Sequence, residues 1–199
     1  MEHGFEVESR LEAQEGHHHN LIPAIAVTTA VLAVLAAFSS LQAGQSAHHS
    51  LAELNRAAIL QNQASDQWNF YQAKGIKRHV FEVQRDALRL DRSAKARALA
   101  TSYDSQVKRY ESEQAQIRRD AETLERHRDE ATALAQGYDT RYQRLAFGVA
   151  FFQIGIVVSS VAAIVLRPSL LYLGILGGAV GGFFLLQALL IPVAAGRGG

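Results

Sequence analysis

Residues 138–166 read YDTRYQRLAFGVAFFQIGIVVSSVAAIVL, and the chain changes character within that stretch. Arg141 and Arg144 close a charge-dense region, and no charged residue follows from Leu145 to Leu166. An uncharged apolar run of this length crosses a hydrocarbon core of about 30 Å as a helix, which takes roughly 20 residues. Two more such runs, Leu21–Leu41 and Ser169–Val193, lie on either side. The expected fold is therefore all-α, with three transmembrane helices at 21–41, 145–166 and 169–193.

Upstream of Leu145 a second signal runs into the first. Tyr103, Val107, Tyr110, Gln114, Ile117, Ala121, Leu124, Arg128, Ala131, Ala135, Tyr138, Tyr142 and Leu145 follow strict 4,3 spacing, and all but Gln114 and Arg128 are apolar or aromatic, counting Ala. A sustained heptad puts one narrow stripe against a partner helix. Oppositely charged residues four apart, such as Asp104–Lys108, Glu122–Arg126 and Arg126–Glu130, suit the solvated faces. An earlier run with the same period, Ile76, Val80, Val83, Ala87, Leu90 and Ala94, reads as the opposing seam. Extended backwards, the later seam reaches Leu99 and Ala96, so the two registers disagree near Leu90–Ala96.

That disagreement has a geometric use. A chain leaving a membrane after Leu41 must return at Leu145, whereas one unbroken helix between them would extend about 150 Å at 1.5 Å per residue. No Pro or Gly between Ile76 and Gln136 marks a reversal. The phase break places it in Asp91–Lys95, with Thr101–Ser105 second because Thr101 or Ser102 suits a helix N-cap. Gly75 is the remaining candidate, although a helix tolerates one glycine at a cost of about 1 kcal/mol. Residues 42–144 are thus expected to form a long antiparallel coiled-coil hairpin.

Composition averages these parts away: mean hydropathy is −0.02 and formal charge is +1. Residues 42–144 hold 17 Lys and Arg against 14 Asp and Glu, too even a balance for nucleic-acid binding, which needs a one-signed patch. The absence of cysteine excludes disulfides, thiolate metal sites, iron–sulfur ligation and cysteine nucleophiles. Residues 1–20 form an acidic tail with Glu2, Glu6, Glu8, Glu12, Glu15 and His17–His19, and 194–199 form a C-terminal tail. An acidic n-region and an over-long apolar run make the first span a retained helix rather than a cleaved signal. Arg126, Arg128, Arg141 and Arg144 precede the second span, while Arg167 alone follows it. The positive-inside bias then puts residues 42–144 in the cytoplasm.

Histidines suggest metal only weakly. His17–His19 lack further ligands, His49 and Glu53 share a helical face, and the first span separates the two groups. No metal site, cofactor site or catalytic residue is expected. The glycines at 174, 177, 178, 181 and 182 lie inside an apolar span, so they suit close helix packing rather than phosphate binding. No ionisable residue lies within a span, which argues against a proton- or ion-coupled transporter. Gln153 and Gln187 are the polar side chains there, and a buried interhelical hydrogen bond is the expected use of each.

The polar stretch before the early heptads carries an aromatic cluster. Trp68 would lie about 35 Å beyond the first span along a continuous helix, so packing across the hairpin or between subunits is favoured over a headgroup anchor. The run Asp66-Gln67-Trp68-Asn69-Phe70-Tyr71-Gln72-Ala73-Lys74-Gly75-Ile76-Lys77 resembles the D-Q-W-x-Y-Y-Q-A-K-x-I-K signature of a bacterial membrane family, the domain of unknown function numbered 4337. Phe70 replaces the usual first Tyr. The order of parts is similar too, including a Gln-bearing second span (Phe151-Phe152-Gln153-Ile154) and a Gly-rich third. The resemblance implies fold and placement in a bacterial inner membrane, and no activity, cofactor or catalytic residue. The expected function is non-enzymatic: a membrane-anchored scaffold or oligomerisation module, homo-oligomeric through the coiled coil and the third span, with a protein partner. The rival from another class is a subunit of an oligomeric channel.

Overall fold

The computed structural model describes the backbone of residues 2–190 and the side chains of 21–190. The side chains of the N-terminal tail, including His17–His19, and the end of the third span with residues 194–199 lie outside those limits. Three helices and no strand occur among the described residues: α1 Glu2–Arg89, α2 Ala94–Val165 and α3 Pro168–Leu190. Each contains a segment long and apolar enough to cross a membrane. The chain divides into two units, one comprising Met1–Ser50 with Gln136–Gly199 and the other Leu51–Ala135.

In the first unit, small residues share the interior with a few large apolar ones, and many large apolar side chains face outward. Ala36, Ser39, Ala43 and Ser46 of α1, Ser159 and Ala162 of α2, and Gly174, Gly178, Gly181 and Ala188 of α3 are buried, together with Leu32, Leu145, Phe152 and Leu185. Val27, Val34, Phe147, Val157, Ile164, Leu176 and Phe183 are exposed. A water-soluble bundle buries its largest apolar side chains, whereas helices in lipid gain by bringing small residues together. The glycines set the approach of α2 and α3. A Cβ on Gly155 would lie 2.8 Å from the Gly174 carbonyl oxygen, and one on Gly181 would lie 3.0 Å from that of Gly148. Leu32 of α1 seats at Gly155 and Gly178, so all three helices meet there. Gly182 has open space around it. The connection to α3 is short because Leu166 takes a left-handed conformation (φ 52°), which costs a non-glycine residue about 1–2 kcal/mol, and Pro168 then opens α3.

The second unit is an antiparallel pair made by the end of α1 and the start of α2. Its reversal occupies residues 90–93, overlapping the expected Asp91–Lys95 and beginning one residue earlier. Ser93 is the N-cap of α2: its Oγ accepts from the Ala96 backbone N–H at 3.1 Å, while Asp91 Oδ1 accepts from the Ser93 N–H at 2.8 Å. Thr101 instead donates its hydroxyl to the Arg97 carbonyl within α2.

The α2 seam follows the expected heptad, with Val107, Tyr110, Gln114, Ile117, Ala121, Ala131 and Ala135 buried. Its backward extension reaches Ala96 and Ala100, and Leu99 is exposed. The α1 seam differs from expectation. Ile76, Val80 and Val83 are 67%, 48% and 56% exposed, and Leu90 is 87% exposed. The face turned to α2 carries Ala57, Ala64 and Tyr71 at intervals of seven, then Lys74, Arg78, Phe81, Arg85 and Leu88 at 3,4 spacing. Alanine permits close approach at Ala57 and Ala64. Further along, Phe81 packs against Tyr103 and Tyr110 at centroid distances of 5.3 and 5.8 Å. Lys74 and Arg85 lay their stems on the seam and carry their charge to Glu113 and Asp104 on α2, whereas Arg78 pairs with Glu82 on α1 itself. The pairing thus buries aliphatic stems and aromatic rings, and leaves the β-branched stripe on the back of α1.

Candidate functional site: a polar band and an unpartnered stripe

The stretch Asp66–Lys77 forms a band of specific contacts across the hairpin. Trp68 Nε1 donates to Glu125 Oε1 at 2.9 Å, and its ring meets Tyr71 edge-on at 5.6 Å. Trp68 therefore packs across the hairpin, as expected for a residue far along α1. Nearly two turns further, Lys74 Nζ donates to Glu113 Oε2 at 2.6 Å and lies 5.1 Å from the Phe70 ring centroid and 5.4 Å from that of Tyr110. The ammonium is held by a carboxylate and two π faces, an arrangement that uses both the charge and the flexible stem of lysine. Its hydrogen bond is the main reason the Glu113 carboxyl titrates below the ordinary range. Partial desolvation works in the opposite direction, and the charges of Lys74, Arg109 and Lys77 add to the lowering.

Gln114 occupies the seam itself. Its Nε2 donates to the Tyr71 carbonyl at 3.1 Å, and its buried Oε1 has no hydrogen-bond partner. The Tyr71 carbonyl also accepts the helical bond from residue 75, four positions on. Reaching its second lone pair requires the side chain at 75 to be absent: a Cβ there would lie 2.8 Å from Gln114 Nε2. Gly75 is thus explained by this close approach rather than by a turn. A buried amide on an otherwise apolar stripe fixes register, because any slip along the seam strands it.

Towards the reversal, Asp104 accepts from Arg85 Nη1 at 3.1 Å and Arg89 Nη2 at 3.0 Å. Asp104 therefore faces α1 rather than pairing with Lys108, and Glu122 pairs with Arg118 rather than Arg126. Asp86 titrates below the usual carboxylate range, chiefly through its hydrogen bond from Arg85. Arg128, the other polar seam position, donates to Gln61 Oε1.

These contacts hold two helices in one register. No group of three or more metal-ligating side chains occurs among the described residues. His49 stacks on Tyr138 at 5.1 Å. Partners such as Glu113, Gln114 and Glu125 were not singled out from sequence as a site. The one available signal was Gln114, a polar residue on an apolar heptad.

On the back of α1, the stripe of Ile76, Val80, Val83, Ala87 and Leu90 repeats every three and four residues with no described residue covering it. In the first unit, Gln153 is likewise exposed. The buried face of α2 runs through Gly148, Phe152, Gly155 and Ser159, one position away.

A family model described as a domain of unknown function, DUF4337, matches residues 21–191, which takes in all three helices and the Trp68 band. No curated protein and no solved structure matches the chain.

Proposed function

We propose that this chain, which belongs to the DUF4337 family, is a non-enzymatic, membrane-anchored scaffold or oligomerisation module acting through its helical hairpin. The observation that carries this reading is the exposed stripe Ile76–Val80–Val83–Ala87–Leu90. Its spacing is that of a coiled-coil seam, yet α2 packs on a different face of α1. Fully burying a side chain such as Val, Leu or Ile stabilises by about 1.5–3 kcal/mol, so four of them form a substantial docking surface for a second helix. The polar band beneath keeps that stripe on a rigid element of fixed register.

The bilayer is the anchor in this reading, and a bacterial inner membrane with residues 42–144 in the cytoplasm suits the arginine bias around the second span. Within the third span Gly174, Gly178 and Gly181 are occupied by helices of the same chain. Self-association is therefore assigned first to the hairpin stripe. The test compares the full chain with Val80→Lys/Val83→Lys/Leu90→Lys in detergent micelles and nanodiscs, by light scattering and by affinity capture from the native membrane. Assembly or a defined partner lost in the variant, with helicity retained, supports the reading. Identical assembly in both contradicts it.

The channel reading draws on a different observation, the outward placement of Gln153 and Ser160 on α2. Ion flux through liposomes holding purified protein, abolished by Gln153→Leu, would favour it over the scaffold.

A further inference from the structure

We infer that the outward face of α2 in the membrane bundle is a contact between two copies of this chain, with Gln153 as its hydrogen-bonding centre. The first ground is the cost of the alternative. Gln153 lies roughly 4 Å from the midpoint of Leu145–Leu166 at 1.5 Å per residue, so its depth in a bilayer is that of the acyl chains. Its primary amide carries a carbonyl acceptor and two N–H donors, and acyl chains offer partners to neither. Thr28 donates to the Ala24 carbonyl, Thr29 to that of Ile25 and Ser160 to that of Ile156, while the hydroxyls of Ser39 and Ser159 are buried inside the bundle without a partner. Gln153 has no such bond among the described residues and is exposed.

The second ground identifies the occupant. An amide is self-complementary, because one N–H and one carbonyl can be exchanged with an identical group across a twofold axis. A second copy inserted in the same direction presents that group at the same depth by construction, and twofold contacts are the commonest in homo-oligomers. The surrounding face fits such a neighbour. Ala150, Gln153, Val157, Ser160 and Ile164 follow 3,4 spacing and are all exposed. Two of them are small enough for close approach.

This inference rests on the oligomerisation part of the proposed function and not on the hairpin stripe. Since the chain has no cysteine, single cysteines at Ala150 and Val157, on either side of an intact Gln153, report on it directly in native membranes under mild oxidation. Disulfide-linked dimers are expected from both, and not from Val34→Cys or Leu176→Cys, which lie on exposed faces of α1 and α3. In liposomes, energy transfer between labelled full-length copies should show Gln153→Leu weakening the dimer roughly 5- to 30-fold, with Gln153→Asn recovering part of the loss. Equal cross-linking at all four positions would overturn the inference, as would cross-links only to another protein, or a dimer unaffected by Gln153→Leu. So would Gln153→Leu abolishing ion flux without weakening the dimer, which would make the amide a pore lining. Repeating the cross-linking in the Val80→Lys/Val83→Lys/Leu90→Lys background separates the two proposals: the α2 contact is expected to persist there.

Discussion

Adding one methyl group at Gly75 should test whether the polar band sets the register of the hairpin. In a helix interior Gly→Ala ordinarily stabilises by about 0.8–1 kcal/mol. Here the new Cβ would lie 2.8 Å from Gln114 Nε2 and push the amide off the Tyr71 carbonyl. The lost hydrogen bond is worth about 1 kcal/mol, and a buried donor left unsatisfied costs about 1–3 kcal/mol. The side chain is flexible at that end and recovers part of this, so about 1.5–2.5 kcal/mol is lost in all, and Gly75→Ala should be net destabilising by about 0.5–1.5 kcal/mol. In a Gln114→Ala background nothing obstructs the methyl group, and the same substitution should stabilise by about 1 kcal/mol. The coupling between the sites is thus about 1.5–2.5 kcal/mol, large enough to resolve in a double-mutant cycle. Trp68 is the single tryptophan of the chain and lies within the band, so its fluorescence during urea unfolding in micelles reports on the right region. Gly75→Ala stabilising by the same amount in both backgrounds would refute the reasoning.

The cap and the membrane packing give two further substitutions. Ser93→Ala removes the acceptor at the start of α2 and should cost about 1 kcal/mol, read as earlier proteolysis at the reversal with the Trp68 environment unchanged until unfolding. Gly155→Ala sets a methyl group against the Gly174 carbonyl and should destabilise the bundle by about 1–3 kcal/mol, seen as a lower aggregation temperature in detergent, while Gly182→Ala, with open space around it, should not lower that temperature. Glu113 and Asp86 are both held below the ordinary carboxylate range by basic neighbours. Their folded-state values are depressed, so they stabilise the hairpin above the unfolded pKa of about 4. That contribution is lost as pH falls through the folded values. Trp68-monitored stability should therefore vary little through these groups between about pH 5 and 8 and fall below about pH 4, with Glu113→Gln reducing the drop.

How much of this the sequence disclosed depended on residue size. On α2 the seam is written in Tyr, Val, Ile and Leu at 4,3 spacing, and hydrophobic periodicity finds such a stripe directly. On α1 the seam is Ala57, Ala64, Lys74, Arg78 and Arg85, types that periodicity discounts, whereas the stripe opposite holds Ile76, Val80 and Val83. Periodicity detects any apolar stripe, whether or not it faces the helix that returns. The reversal at 90–93 overlaps the expected Asp91–Lys95 and starts one residue earlier, because the α2 heptad has to begin somewhere after Leu90. Ser93 lay within the indicated stretch without standing out, since serine is common in such segments. Glycines of the third span were legible as packing residues because little else explains several glycines in an apolar helix. Gln153 was not: helix phase decides whether it is buried, and the inward face of α2 passes one residue to its side.

Topology is where the account is most directly exposed. Single cysteines at Ser105, in α2 of the hairpin, and at Ser169, at the start of α3, are both exposed in the structure and have no competing thiol. Treating intact cells with a membrane-impermeant maleimide, and then permeabilised cells, tests the number of crossings between them. One crossing, through α2, requires that one of the two sites labels from outside and that both label after permeabilisation. With the hairpin in the cytoplasm, Ser169→Cys is the site reached from outside. Labelling of both sites in intact cells would contradict a membrane crossing between them, and with it the three-span architecture.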